Sequence, residues 1–277
     1  MPIYKIKSFA KLNLGLKILN KRPDQYHNIS SIFVAINLHD IMEFIPAESF
    51  NLKCSNQDVP LDKTNTIYKA YNILNQKYRF KHQYKIILHK SIPIKSGLGG
   101  GSSNAAGALK ALNKLYKLNL KHQELLDMGL KIGSDVPFFI EGGIKLIKGR
   151  GEIIEKYTAS ILKSLFFLLV FPHFSISTKW AYNKLKNTLE DGVDSPKFPA
   201  LDSNVDWKLF ENDFEKVVGS TYPEMHEIKE SLENNRALYS SLSGSGSTMF
   251  GVYNNKEFIK IAHNKLKNYN TLIVSPA

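Results

Sequence analysis

Cysteine is almost absent from this chain of 277 residues: Cys54 is the only one. A single thiol excludes an intramolecular disulfide and any cysteine-rich zinc site, and it fits a reducing compartment, so a cytoplasmic protein is expected. Long apolar runs are missing as well. The longest, "LFFLLVF" at 165–171, is far too short to span a bilayer and reads as a buried strand. The N-terminal "MPIYKIKSFAKLNLGL" carries charges every few residues and lacks a continuous apolar core, so it does not read as a signal peptide, and no membrane partner is expected. The eight histidines show no HxxxH or HExxH spacing, which gives a histidine-based metal site no support. Acidic residues are the minority: 25 Asp and Glu stand against 37 Lys and Arg, a formal charge of +12. That excess favours an anionic partner, whether nucleic acid, an acidic membrane surface or a phosphorylated small molecule, and a Lys-rich solvated surface is the bland alternative.

What is present is enough for a sizeable core, since 43% of the residues are hydrophobic. Residues 11–18, "KLNLGLKI", alternate strictly, with Leu12, Leu14, Leu16 and Ile18 on one face and Lys11, Asn13, Gly15 and Lys17 on the other, the pattern of a half-buried strand. Further strands are expected at 29–38, 40–45 and 83–89. Ile67, Ala70, Tyr71, Leu74 and Tyr78 recur at helical spacing; so do Ala105, Ala106, Leu109, Leu112 and Leu115, and 122–132 predicts another helix. "SDVPFFIEGGIKLIKGRGE" at 134–152 reads as a turn, a strand, a Gly-Gly bend and a strand, with the chain dividing near Gly149–Gly151. Beyond it come a strand at 165–171, a helical stretch near 178–188, the loop "EDGVDSPKFPALDS", and helices near 205–218 and 223–234. Strand, "GSGS", strand, helix and a short strand close the chain. Two α+β domains are the expectation.

"SGLGGGSSNAAGALKAL", 96–112, places four glycines in five positions and runs straight into a helix. A helix N-terminus leaves its first N–H groups unpaired and partly positive, so a bare loop entering it wraps backbone donors around a phosphate. Ser102 stands where a Walker loop needs Lys and where the dinucleotide fingerprint needs Gly, so a different phosphate loop is implied; a flexible turn with a capping Ser is the alternative. "SLSGSGSTMF" at 241–250 is read either as a hairpin turn or as a second wall of the same anion site. Asp135 lies in a tight turn before Pro137, whose restriction on Val136 predicts extended chain there. Lys11 and Asn13 occupy the polar face of a core strand. A Lys and an Asp acting on a phosphate loop supply what phosphoryl transfer requires, namely orientation of a hydroxyl and cancellation of charge.

Three blocks in this order, "AKLNLGLKI" with "RPDQYHNI", "IPIKSGLGGGSSNAA" leading into "GSDVPFF", and "SLSGSGSTMF", resemble the GHMP kinases over almost the whole chain, in particular those acting on a cytidylated methylerythritol in isoprenoid synthesis. The resemblance implies an α+β, two-domain GHMP kinase fold. Residues 1–157 would form a domain like the second domain of ribosomal protein S5 and 158–277 a ferredoxin-like domain, with the active site between them. It implies ATP and Mg2+. By position, Gly97, Leu98, Gly99, Gly100, Gly101, Ser102 and Ser103 match the ATP phosphate loop, with Asn65 and Lys90 near the nucleotide. Asp135 matches the catalytic base and Lys11 its partner at the acceptor hydroxyl. Asn13, Tyr26, His27, Tyr182, Gly244, Ser245 and Gly246 match substrate contacts, His27 reading the cytosine edge, Tyr26 and Tyr182 stacking. Lys95 and Ser96 stand where relatives often have glycine or small residues, and the tail after "NTLIVSPA" is short. A homoserine kinase would keep the loops without a reason for Tyr26-His27. A basic RNA-binding module would need more than "KYRFKHQYK" at 77–85, so no nucleic-acid partner is expected.

Overall fold

The computed structural model describes residues 3–185, 198–202 and 205–277. The expected loop at 190–203 and the last residues of the expected 178–188 helix lie mostly outside these. The chain gathers into two compact units, each assembled from separated segments: 1–10, 38–94 and 99–142 in the first, 11–37, 95–98 and 143–277 in the second. Two long strands, β1 (Tyr4–Lys21) and β2 (His27–Ala47), contribute residues to both.

In the first unit, β3 (Asn51–Cys54) lies parallel to β4 (Gln83–His89), and β4 lies antiparallel to Ile41–Ala47 of β2. Four helices follow: α1 (Thr66–Tyr78), α2 (Gly100–Leu115), α3 (His122–Ile132) and α4 (Val136–Glu141). The apolar periodicity places α1, α2 and α3 as expected. Ile67, Ala70, Tyr71 and Leu74 of α1 are buried, as are Ala105, Ala106, Leu109 and Leu112 of α2. Asn65 caps α1 by accepting from Ile67 N at 2.8 Å, and left-handed Arg79 ends it, its N–H donating to Asn75 O.

The second unit carries Ile29–Val34 of β2 antiparallel to β5 (Ile144–Gly149), which pairs in turn with β6 (Ile153–Lys156). It also holds β7 (Phe166–Phe171), α5 (Thr178–Leu185), α6 (Phe214–Gly219), α7 (Glu224–Asn234), β8 (Tyr239–Leu242), β9 (Met249–Tyr253), α8 (Lys256–Lys265) and β10 (Asn270–Val274). The sheet order β10-β7-β9-β8 is antiparallel throughout. Counted along the chain it reads 4-1-3-2, with helices between the first and second strands and between the third and fourth, the split βαβ arrangement of ferredoxin-like domains. Phe167, Leu168, Leu169 and Val170 are fully buried, so "LFFLLVF" is a central strand and not a membrane element; no helix among the described residues is long and apolar enough to cross a bilayer. The short tail is used: Asn37 N donates to Ser275 O and Ala277 N to Ala35 O.

Several expectations are corrected. The stretches 29–38 and 40–45 form one continuous strand, because nothing between them breaks extended backbone. The stretch 11–18 of β1 is buried more fully than a half-buried strand: Lys11 and Asn13 are as inaccessible as the leucines beside them, 3% and 2% exposed, since its polar face also points into protein, and only Lys17 keeps partial exposure. "VPFFIE" is helix α4 and not a strand, because Pro137 falls in the first turn, where its missing N–H costs nothing and its fixed φ suits a helix. The expected helix at 205–218 is broken into a 3-10 turn at Trp207–Leu209 and α6, with Leu16 pairing against Asn212 in between.

Candidate active site

In the first unit the glycine-rich segment becomes the opening of α2. Gly99, with φ of +71°, is its N-cap, no side chain caps it, and the first turn contains no acid, so its positive end meets no protein anion on the helix itself. Ser103 N closes the first bond on Gly99 O at 2.9 Å. Gly101 is exposed and open: an added Cβ would find only Thr66 Oγ1, at 3.8 Å, and Thr66 Oγ1 donates to Gly101 O at 2.6 Å. Gly100 is not open, because a Cβ there would lie 2.8 Å from Lys90 Nζ and 3.0 Å from Ile92 Cγ2.

Under this helix end sits an acid that sequence reasoning missed. Asp40 is fully buried; its Oδ1 accepts Ser91 N (2.7 Å) and Ile92 N (2.8 Å), and its Oδ2 accepts Asn104 Nδ2 (2.9 Å) and the Lys90 ammonium. Lys90 is therefore ion-paired directly beneath the start of α2. Asn65, matched to the nucleotide by resemblance, has both ends of its amide engaged in the loop before α1, donating to Pro60 O and accepting from Ile67 N.

Asp135 immediately precedes α4. It is half-buried, caps nothing with its side chain, and among the described residues its carboxylate has no hydrogen-bond or ion-pair partner, its backbone O accepting from Phe139 N. Its turn lies close to the serines of α2: a Cβ on Gly133 would come 3.7 Å from Ser102 Oγ. Lys110 Nζ donates to Phe139 O at 3.0 Å, tying α2 to α4, and burial pulls that ammonium below its ordinary pKa.

The second unit brings Lys11, Asn13, Gly97 and the "GSGS" loop together. Lys11 Nζ donates to Asn13 Oδ1 at 2.5 Å and to Gly97 O at 2.7 Å; Asn13 Nδ2 donates to Ser31 Oγ, which donates to Gly15 O. This chain of bonds fixes both side chains of β1 in one geometry. Lys95 is left-handed (φ +54°), a backbone conformation that favours glycine. Gly97 also has positive φ, and a Cβ on it would lie 2.0 Å from Ser243 O. Ser243 Oγ donates to Gly97 O and Thr248 N to Ser96 O, so the 243–248 loop is laced to 96–97. At Gly244 a Cβ would stand 3.3 Å from Lys11 Nζ and 3.4 Å from Asn13 Oδ1. The cluster is a wall around the lysine and not a plain hairpin turn.

Asn212, another residue the sequence did not reveal, holds this loop from behind by donating to Leu242 O and Gly244 O. Lys17 bonds Glu211 and Asp213 on either side of it; burial pulls the Lys17 ammonium down, but the two carboxylates outweigh that and hold it above its ordinary value.

The aromatic residues pair in an unexpected way. Buried His27 stacks on Tyr182, ring centroids 5.2 Å apart and planes 20° from parallel, a spacing that leaves no room for a base between them. Tyr26 is half exposed, with the Arg150 guanidinium 4.9 Å from its ring centre. Thr178 Oγ1, at the start of the helix that carries Tyr182, lies 3.1 Å from Ser245 Oγ.

A family model described as GHMP kinases N terminal domain matches residues 65–143, and one described as GHMP kinases C terminal matches 200–271. A protein of Chlorobium chlorochromatii named 4-diphosphocytidyl-2-C-methyl-D-erythritol kinase is 40% identical over 258 residues, covering 90% of this chain and 88% of that protein. One of the same name from Thermoanaerobacter pseudethanolicus is 40% identical over 272 residues, covering 96% and 93%. The crystal structure of a 4-(cytidine 5'-diphospho)-2C-methyl-D-erythritol kinase superposes with a TM-score of 0.80 at 25% identity, covering 99% of this chain and 100% of that one.

Proposed function

We infer, from the premise that the chain belongs to the GHMP kinase family and stands among the 4-diphosphocytidyl-2-C-methyl-D-erythritol kinases, that it catalyses ATP-dependent phosphorylation of 4-diphosphocytidyl-2-C-methyl-D-erythritol at its 2-hydroxyl, a step toward isoprenoid precursors. The observation that carries this reading is identity of 40% sustained over 272 residues. In the reaction the acceptor oxygen bonds to the γ-phosphorus, the bond from that phosphorus to the oxygen of ADP breaks, and the hydroxyl proton leaves.

We assign that proton to Asp135, whose unpartnered carboxylate suits a base that must meet its hydrogen on the substrate. Lys11, held by Asn13 and Gly97, is the cation that offsets charge on the transferred group. The backbone of Gly97–Gly101, with Leu98, Ser102 and Ser103, forms the nucleotide's phosphate loop, Lys90 and Asn65 supporting it from below. Asn13 and Gly244–Gly246 hold the acceptor; His27 reads the cytosine edge, and Tyr26 and Tyr182 supply stacking faces. Because His27 and Tyr182 already stack on each other, the base does not lie between them.

Magnesium belongs to the proposal. Among the described residues no three His, Cys, Asp or Glu side chains group to hold a metal, so the ion would arrive with the nucleotide. When bound, the ion neutralises phosphate charge. We take the family's N-terminal domain as 1–157 and its C-terminal domain as 158–277, with the enzyme and its small-molecule substrates in the cytoplasm.

The test is a coupled assay of ADP release with the cytidylated substrate, set against homoserine and mevalonate. Turnover confined to the cytidylated acceptor is expected, and turnover of homoserine or mevalonate in its place would overturn the assignment.

A further inference from the structure

We propose that Asp40 is a positioning residue for the nucleotide, holding Lys90 and the opening of α2 in one arrangement; this rests on the ATP-dependent reading above. Asp40 lies far in sequence from the groups it orders. Its four acceptor bonds join the backbone after β4 (Ser91 and Ile92), the side chain of Lys90 and, through Asn104, the second turn of α2. Asp40 is 0% exposed, Asn104 2% and the Lys90 side chain 7%, so the network is closed to solvent.

Stability alone does not account for this arrangement. A buried ion pair on average adds little over well-packed apolar residues of the same volume, because both charges must be desolvated. A cation under the positive end of a helix opposes the helix dipole, and Lys90 Nζ stands 2.8 Å from where a Cβ of Gly100, the first residue of α2, would be. The Asp40 carboxylate offsets that opposition, while the first turn of α2, which contains no acid, keeps its N–H groups for an anion. Asp40 thereby holds lysine and helix end together before the nucleotide arrives. It satisfies Lys90 from below and stops the ammonium from swinging out to solvent, and through Asn104 and Ile92 it sets the height of the helix end above the lysine.

The experiment is a cycle of four proteins: wild type, Asp40→Asn, Lys90→Met and the double variant. Asparagine keeps the shape but presents an NH2 to two donors, Asn104 Nδ2 and Lys90 Nζ, which leaves a buried ammonium unpaired. Melting temperature without nucleotide, KM and kcat for ATP, KM for the cytidylated acceptor, and equilibrium binding of ATP alone are measured on each. Asp40→Asn is expected to lower the melting temperature and to raise KM for ATP about tenfold or more, with the acceptor KM changed less than about twofold. Adding Lys90→Met should restore the melting temperature, because the unpaired charge is gone, while KM for ATP stays at the level of Lys90→Met alone.

A merely structural role predicts instead that ATP affinity recovers together with the melting temperature. That result, or unchanged ATP affinity in Asp40→Asn, overturns the proposal. If Asp40→Asn does not fold, the double variant decides: wild-type ATP affinity in it overturns the proposal, and affinity equal to that of Lys90→Met supports it. If the wild type turns over no cytidylated acceptor, the functional reading fails separately, and ATP binding across the four proteins still tests Asp40.

Discussion

Two aspartates of the same unit, Asp40 and Asp135, have opposite surroundings. Asp40 is sealed from solvent with all its acceptor capacity taken up by two backbone N–H groups, an amide and an ammonium. Asp135 is half-buried in the turn before α4 and, among the described residues, its carboxylate accepts nothing. A carboxylate saturated by protein has no lone pair left for a substrate, so it builds a scaffold. One held in place by backbone alone keeps its lone pairs for chemistry.

The sharpest way to break the comparison is to neutralise the open acid. Asp135→Asn should lower kcat by about 10²-fold or more, as removal of a base or an orienting group does. It should leave KM for ATP and the melting temperature close to wild type, because no bond within the fold is lost. Near-normal turnover would remove Asp135 from the chemistry, and a large fall in melting temperature would show it to be a second scaffold acid.

Specificity comes next. His27→Ala should reduce the preference for the cytidine over the uridine form of the substrate, read as the ratio of kcat/KM, by roughly 5- to 100-fold, the equivalent of about 1–3 kcal/mol from a buried polar group left unmatched. Tyr26→Ala and Tyr182→Ala should weaken both forms and leave the ratio alone, since stacking tolerates every base. A ratio unchanged in His27→Ala would mean that backbone groups read the base.

The glycines repeat the contrast between filled and open space on a smaller scale. Gly97→Ala forces a Cβ to within 2.0 Å of Ser243 O at positive φ, so the protein should lose about 1–3 kcal/mol of stability, measured by denaturant unfolding. Gly101→Ala meets no protein atom closer than 3.8 Å and should gain up to about 1 kcal/mol from helix propensity. If that bare position exists for a phosphate, the more stable variant binds ATP several-fold worse. Improved stability with unchanged ATP affinity would place the phosphates elsewhere.

The smallest effect concerns a buried group that never ionises at working pH. Burial pushes the Tyr253 phenol above its ordinary value, while its hydroxyl donates to Leu232 O. With the folded pKa raised, the unfolded chain gives up this proton first, so stability is full below about pH 10 and is lost as pH rises beyond it. Tyr253→Phe should flatten that alkaline loss in urea titrations at pH 9 to 11; an unchanged slope would assign it to other phenols.

How far these features were legible in the sequence follows from the range of the interactions that make them. The helices at 66–78, 100–115 and 122–132 could be read because each is specified by its own apolar period. The bare glycine run and the polar residues on β1 announced a site because both are locally extravagant. Asp40 could not be read: it stands in "LHDIMEF" as an unremarkable strand acid, and its partners are 50 to 64 residues away. Asn212 hid in the same way, inside a stretch whose helical period was interrupted by pairing with Leu16. "SDVPFF" was misread because a proline fits equally well in an extended segment and in a helix's first turn.

The order in which the chain is made gives the two-unit arrangement a further meaning. All three segments of the first unit precede residue 143, so Asp40, Lys90, the start of α2 and Asp135 have every partner described here once about half the chain has been synthesised. The second unit needs later residues: Asn37 N bonds Ser275 O, Ala277 N bonds Ala35 O, and Gly97 waits for Ser243. Residues 11–37, apolar and strand-forming, therefore spend much of synthesis without their later neighbours. Apolar strand surface that waits for later partners is the kind that exposes a nascent chain to misassembly.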